Sequence, residues 1–196
     1  RESMFVLNEW ARQYFEETLS STPDGIAIGM AYFRSRGFRD DIIHKFQLGY
    51  SSSERDLLAK TAIQKGYSEE LLLKTGLCYR TDEGRLLDRY HGRVIFPVHT
   101  ISGKVVAFGG RILGSDKKIA KYVNSPESEI YSKSHELYGL YQAKHAIVKQ
   151  GRCFLVEGYT DVISMHQSGI ENVVASSGTS LTQGQIRLLH RFTTDI

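Results

Sequence analysis

Apolar residues recur at helical spacing through the first third of the chain. Leu7, Trp10, Ala11, Tyr14, Phe15 and Leu19 fall on one stripe and predict an amphipathic helix from Leu7 to Leu19. Thr22-Pro23-Asp24-Gly25 reads as a turn, Ile26 to Arg36 as a second helix closed by Gly37, and Asp40 to Phe46 as a short third one. Ser51-Ser52-Ser53 is placed to cap a helix from Glu54 to Lys65. Ser68-Glu69-Glu70 is placed to cap another from Leu71 to Lys74, with Gly66 and Gly76 closing the pair. Residues 1–76 thus read as a helical unit built to pack, with no chemistry in it.

From Leu77 the period changes. Leu77-Cys78-Tyr79 and Leu86-Leu87 flank Thr81-Asp82-Glu83-Gly84, a hairpin signal. Arg93 to His99 is a strong strand in which Pro97 hints at an edge or bulge, and Lys104 to Phe108 is a second strand ending in Gly109-Gly110-Arg111. Ser115 to Lys118 reads as an exposed loop, Lys121-Tyr122-Val123 as a short strand, Asn124-Ser125-Pro126 as a turn and His135 to Lys149 as a helix. After Gly151 the pattern is strand, helix, strand, helix. Cys153 to Val156 has the profile of a buried strand, a helix opens past Gly158, Asn172 to Ala175 is a second buried strand, and Thr182 to Phe192 is amphipathic. That alternation argues for a parallel sheet with crossover helices.

At 196 residues with 41% apolar and 24% charged residues, the composition is that of an ordinary soluble globular protein with one sizeable core or two small ones. No apolar run approaches membrane-spanning length, and the first ten residues do not read as a signal peptide. Two distant cysteines, Cys78 and Cys153, match no zinc spacing and suit a cytosolic protein with reduced thiols. Charge is uneven. Between Arg85 and Lys121 stand eight basic residues and two acidic ones, against a net charge of +3 for the whole chain. A local field of that sign suits a polyanion, nucleic acid or nucleotide phosphate, although a solvated basic face reads the same way.

The chemistry concentrates at Val156-Glu157-Gly158-Tyr159-Thr160-Asp161. Two acids at the C-terminal edge of a parallel sheet are where open α/β folds place their chemistry, and they suit a hard divalent cation. Equally, Glu157 can simply end a strand, with Asp161 a first-turn acid favoured by the helix dipole. Phe108-Gly109-Gly110-Arg111 reads as a backbone phosphate cradle or as a β-bulge. Ser176 to Ser180 reads as a phosphate loop or as a strand-to-helix turn capped by Thr179 or Ser180. His91, His99, His135, His145, His166 and His190 lack metal spacing, and no nucleophile-elbow pattern is present.

Read together, the motifs resemble the catalytic core of bacterial, DnaG-type DNA primases. They are Gly92-Arg93-Val94-Ile95-Phe96-Pro97, Phe108-Gly109-Gly110-Arg111, Lys121-Tyr122-Val123-Asn124-Ser125-Pro126-Glu127, Leu137-Tyr138-Gly139-Leu140 and Val156-Glu157-Gly158-Tyr159-Thr160-Asp161-Val162. Each alone is weak; five in this order, covering most of the chain from about Leu7, are specific. The resemblance implies an α+β N-terminal subdomain, a helical unit plus a small mixed or antiparallel sheet, followed by a partial α/β Toprim subdomain with a Rossmann-like parallel sheet. The expected division is 1–76 helical, 77–150 basic and β-rich, and 151–196 Toprim.

The same resemblance implies a template-directed RNA polymerase making short primers on single-stranded DNA. Glu157 would be the acid of the first Toprim motif, a metal ligand or general base, with Asp161 beside it as a second catalytic acid. Arg93, Arg111, Lys121, Tyr122, Asn124 and Lys133 would belong to the basic groove for nucleotide and template. Tyr122, Tyr131 and Tyr138 are available for stacking on bases. Mg2+ or Mn2+ would be the cofactor, with no zinc in this stretch. Single-stranded DNA, ribonucleoside triphosphates and a replicative helicase would be the partners of a monomeric, cytoplasmic, bacterial protein without membrane contact. The family's second Toprim motif, an Asp-x-Asp pair, is not reached by Ile196, and its zinc-binding and helicase-binding domains are absent from the sequence. This chain alone is therefore expected to bind divalent metal weakly and to make little or no primer. A different Toprim enzyme, a topoisomerase or nuclease, and a non-catalytic single-strand-binding module are the other readings. The Lys-Tyr-Val-Asn-Ser-Pro run speaks against the former.

Overall fold

The structure is a computed structural model describing residues 1–114, 116–178 and 180–196. Its centre is a four-stranded antiparallel sheet of β1 (Gly49–Ser51), β4 (Arg93–His99), β5 (Val105–Ile112) and β6 (Tyr122–Asn124), in the order β1-β4-β5-β6. Between β1 and β4 in sequence lies the expected hairpin, β2 (Cys78–Arg80) with β3 (Leu86–Asp88). β1 was not expected. The tripeptide Gly-Tyr-Ser carries no periodic signal and becomes a strand by pairing with Arg93, Val94 and Ile95. Because β1 is so short, β4 has β5 as its only neighbour at Pro97. The missing proline N–H thus costs no ladder bond, and the register shift follows between Val98 and His99.

Both faces of this sheet are covered. On one lie α1 (Glu2–Ser21), α4 (Leu57–Gln64) and α5 (Glu69–Lys74), whose Leu7, Ala11, Phe15, Leu58 and Leu72 bury Ile95 and Phe108. On the other, α2 (Ala31–Ser35) and α3 (Asp40–Lys45) bring Phe33, Ile42 and Ile43 against Val94, Phe96 and Val98. The expected turn at Thr22–Gly25 is instead a bend that re-enters helix. Thr22 Oγ1 accepts the Gly25 N–H at 3.0 Å, proline is tolerated in a first helical turn, and a π-helical segment, Gly25–Met30, runs straight into α2.

Helix α4 starts later than the serine run suggests, at Leu57, because its cap comes from β3. The buried Asp88 carboxylate accepts the N–H groups of Leu58 and Ala59 at 2.8 and 3.0 Å. Burial raises the Asp88 pKa from 3.8 to about 6, although those two N–H donors favour the carboxylate. An acid titrating higher in the fold than in the open chain binds its proton preferentially in the fold. This residue's contribution to stability therefore falls as pH rises from about 4 to about 6. Thermal melts across that range are expected to show this slope in the wild type and lose it in Asp88→Asn. Asp88→Ala, which removes both acceptors, is expected to cost about 1–3 kcal/mol at neutral pH.

The second unit is a parallel pair, β7 (Phe154–Val156) and β8 (Val173–Ala175), in the register Phe154 with Val173. Helix α7 (Tyr159–Gln167) lies on one face of it; α6 (Leu140–Gln150) and α8 (Gln183–Leu189) lie on the other around Ile147, Val174 and Leu189. Helix α6 begins later than His135 because Gly139 takes φ 86°, and a short 3-10 turn, Lys133–His135, precedes it. β8 is buried as expected, but Phe154 and Leu155 of β7 are 41% and 38% exposed, β7 being paired along one edge of a two-stranded sheet. Thr182 with Gln185, not Ser180, makes the capping box of α8, and Thr179 lies outside the described residues, as does Ser115 of the expected loop. The two units share one core. Tyr138, Tyr159, Val162 and Ala175 pack with Phe46 and Phe96, and Tyr138 exchanges backbone hydrogen bonds with Ala175.

Candidate nucleotide and nucleic-acid site

Glu157 directly follows β7 at the C-terminal edge of the parallel pair, and it is exposed. Asp161, in the first turn of α7, is exposed too, and its Oδ2 accepts the Gly158 N–H at 3.2 Å. One carboxylate is therefore presented freely, and the other is engaged in capping its own helix. Ser176 and Ser177 follow β8 at the same edge.

The cationic side is built by strand parity. Register pairs Gly109 with Asn124 and Arg111 with Tyr122, so Arg111, Tyr122 and Asn124 share the face on which Tyr159 of α7 lies. The Arg111 guanidinium stands 4.9 Å from the Tyr32 ring centroid and 6.0 Å from that of Tyr122, and its Nη1 donates to Ile112 O at 2.8 Å. Lys121 and Lys133 are exposed. Arg93 is placed elsewhere. Its neighbour Val94 pairs with Arg111, which puts Arg93 on the opposite face. There it is 6% exposed and donates from Nη1 to Gly110 O and Lys121 O. Burial lowers its pKa. Its position ties the β5–β6 connection together rather than lining the groove.

The junction between acid and cations is Tyr159. Its hydroxyl donates to Asn124 Oδ1 at 2.6 Å; its ring stacks on Phe96 at 5.1 Å and meets Tyr138 edge-on at 4.6 Å, with Tyr122 at 6.1 Å. A Cβ on Gly109 would stand 2.5 Å from that ring. This explains the glycine of the Phe-Gly-Gly-Arg motif: the segment is regular strand, neither a phosphate cradle nor a bulge, and it is bare so that a tyrosine can lie on it. Tyr131 and Tyr138 are buried, so of the three tyrosines expected to stack on bases only Tyr122, 37% exposed, is open to a ligand.

Sequence reasoning missed several neighbours. Arg36, from the helical unit, donates from Nη2 to Thr160 Oγ1 at 2.7 Å, which brings it beside Asp161. Tyr32 lies under Arg111. Glu136 lines an enclosed cavity of about 20 Å³ with Asn124, Tyr131, Lys133, Tyr138 and Ser177, and burial raises its pKa to about 7. The only sequence signal for Tyr159 was its place between the two acids. A roomier cavity, about 830 Å³, opens between α1 and the segment after β1. Its charged lining, Glu17, Asp24 and Glu54 against Lys65, is net negative and unsuited to phosphate.

The donor set suits a hard divalent cation in kind but not in number. Glu157 offers free carboxylate oxygens and Asp161 one not engaged in the cap, while no group of three or more His, Cys, Asp or Glu gathers among the described residues.

The fold and site together define an α+β protein whose basic-aromatic sheet face is joined to the strand edge of a small parallel α/β unit, and comparison with known proteins identifies that unit as Toprim-like. The chain matches the "DNA primase catalytic core, N-terminal domain" over residues 14–144 and a Toprim-like domain over 154–196. It therefore belongs to the DNA primase catalytic core family. It is 41% identical over 191 residues to a DNA primase of Halalkalibacterium halodurans, covering 97% of this chain and 31% of that protein. The RNA polymerase domain of Mycobacterium tuberculosis primase DnaG superposes with a TM-score of 0.91 at 35% identity, covering 100% of this chain and 62% of that one. A DnaG primase catalytic domain bound to ssDNA gives 0.90 at 36% identity, covering 100% and 62%. The chain thus spans about a third of the curated relatives it matches.

Proposed function

We propose that this chain is the part of a DNA primase that holds nucleotide and template and contributes the first acid to the catalytic centre. The longer protein makes short RNA primers on single-stranded DNA by metal-dependent nucleotidyl transfer from ribonucleoside triphosphates. The observation that carries this reading is the Tyr159 junction, which fixes Asn124 and the Arg111–Tyr122 pair beside the strand edge that presents Glu157. Nucleotidyl transfer is mainly positioning plus charge stabilisation. Arg111, Lys121 and Lys133 supply positive charge for phosphates, with Arg36 extending that surface. Tyr122 supplies a ring for base stacking, and Asn124 a polar contact. Arg93 serves by fixing the carbonyls of Gly110 and Lys121 behind them.

Mg2+ or Mn2+, held by Glu157 with Asp161 near it and completed by acids from outside this chain, would neutralise charge on the reacting phosphate. The remaining assignments belong to the same reading. They are the division at residues 76 and 150, a monomer, a bacterial cytoplasmic location and a helicase partner contacted through another domain. Among the described residues no helix is long and apolar enough to cross a membrane.

Neutralising Lys121 or Lys133 to Ala is expected to weaken single-stranded DNA binding and to reduce the slope of log K against log salt by about 0.7 each, one phosphate's worth of counterion release. A salt titration of fluorescence anisotropy with the longer protein measures this. Unchanged affinity at low salt in both variants would remove these lysines from the groove.

A further inference from the structure

We propose that Tyr159 is a positioning residue that orients the Asn124 side-chain amide, so that its NH2 group is the end left to donate to a phosphate oxygen of the incoming nucleotide. This rests on the reading of Asn124 and Lys133 as nucleotide contacts. An asparagine amide has an acceptor end and a donor end, and which one faces a ligand depends on what holds the other. Here Oδ1 is taken by the Tyr159 hydroxyl at 2.6 Å. What Asn124 can still offer to a ligand is therefore its pair of N–H donors.

The direction of that bond is itself fixed. An amide oxygen carries no proton, so the phenol is the donor in its bond to Asn124, and the Ser177 side chain hydrogen-bonds the same phenol. The ring cannot readily turn away. It is stacked on Phe96, met by Tyr138 and seated on the bare backbone of Gly109. Ser177 is one of two non-glycine residues with positive φ among the described residues, at 62°. A serine held in that conformation is the kind of local strain that surrounding structure maintains at working sites. The result is a hydrogen-bonded chain running Ser177, Tyr159, Asn124. It links the loop after β8, the first turn of α7 two residues from Glu157, and the edge of β6. A donor pair on the sheet face that carries Arg111 suits an anionic acceptor, and a nucleotide supplies several such oxygens in its phosphates.

The test uses the full-length primase that carries this chain, with steady-state incorporation of ATP on a single-stranded template. Tyr159→Phe keeps the ring and its packing but removes the proton. It is expected to raise the KM for ATP about tenfold, the value of one hydrogen bond to a charged ligand, and to leave single-stranded DNA affinity within about twofold. In an Asn124→Ala background the same change is expected to add nothing further, because both substitutions remove one interaction. Asn124→Asp keeps an acceptor for Tyr159 but turns a carboxylate oxygen on the phosphate, and should raise KM beyond Asn124→Ala.

An unchanged KM in Tyr159→Phe, a full additional effect in the double variant, or wild-type behaviour of Asn124→Asp would each overturn the assignment. If the unaltered protein incorporated no nucleotide, the primase reading would fall and the assignment with it. If the unaltered protein is active and Tyr159→Phe keeps its KM, the positioning role alone falls.

Discussion

Glu157→Gln in the longer protein is expected to lower primer synthesis by more than about 100-fold, the loss that even outer-shell changes at metal sites can produce. Single-stranded DNA affinity should stay within about twofold. The side chain is exposed, follows a strand end, and makes no hydrogen bond or ion pair among the described residues, so the amide has nothing structural to disturb. The substitution keeps size and polarity and removes the charge that a hard cation needs. Synthesis assays and binding titrations on the same preparation separate the outcomes. Retained synthesis would make Glu157 a strand terminator. Loss of both activities would mean that the acid also shapes the nucleic-acid groove.

The second large effect is structural in origin and catalytic in outcome. Gly109→Ala puts a methyl carbon 2.5 Å from the Tyr159 ring, and that ring is boxed in by Phe96 and Tyr138. Overpacking of this kind costs about 1–3 kcal/mol. Relief requires Tyr159 to move off β5, which would break its bond to Asn124. A lower melting temperature should therefore come with a raised nucleotide KM. Stability lost with an unchanged KM would show that ring and Asn124 are not coupled. Wild-type values of both would contradict the packing itself.

The legible parts of the fold were those whose signal is local. Ser68 accepts the Leu71 N–H as a cap ahead of α5 should, β4 is read directly from Arg93 to His99, and α7 opens just past Gly158. What escaped was set by partners distant in sequence. β1 is a strand because β4 lies beside it, and α4 is capped by Asp88, 30 residues after Leu58. Arg93 and Arg111 look alike in the sequence. One register fact, Val94 opposite Arg111, sends them to opposite faces, and no composition argument can supply it. Tyr32 and Arg36 belong to a stretch whose pattern announces only packing, and they reach the site because α2 lies over the sheet face that carries Arg111 and the residue after it bonds the first turn of α7. Within the acidic motif the sequence displays two charges, while the residue between them makes the connections.

The central claim is that one cleft is shared by the cationic sheet face and the Glu157 edge. Photolabelling of the full-length protein with azido-ATP, followed by peptide mapping, tests it most directly. Label competed by ATP is predicted in the peptides carrying Tyr122, Asn124 and Lys133, and reduced by Arg111→Ala. Competed label confined to the reverse face of the sheet, around Arg89 and Arg93, or to the cleft beside α1, would contradict it.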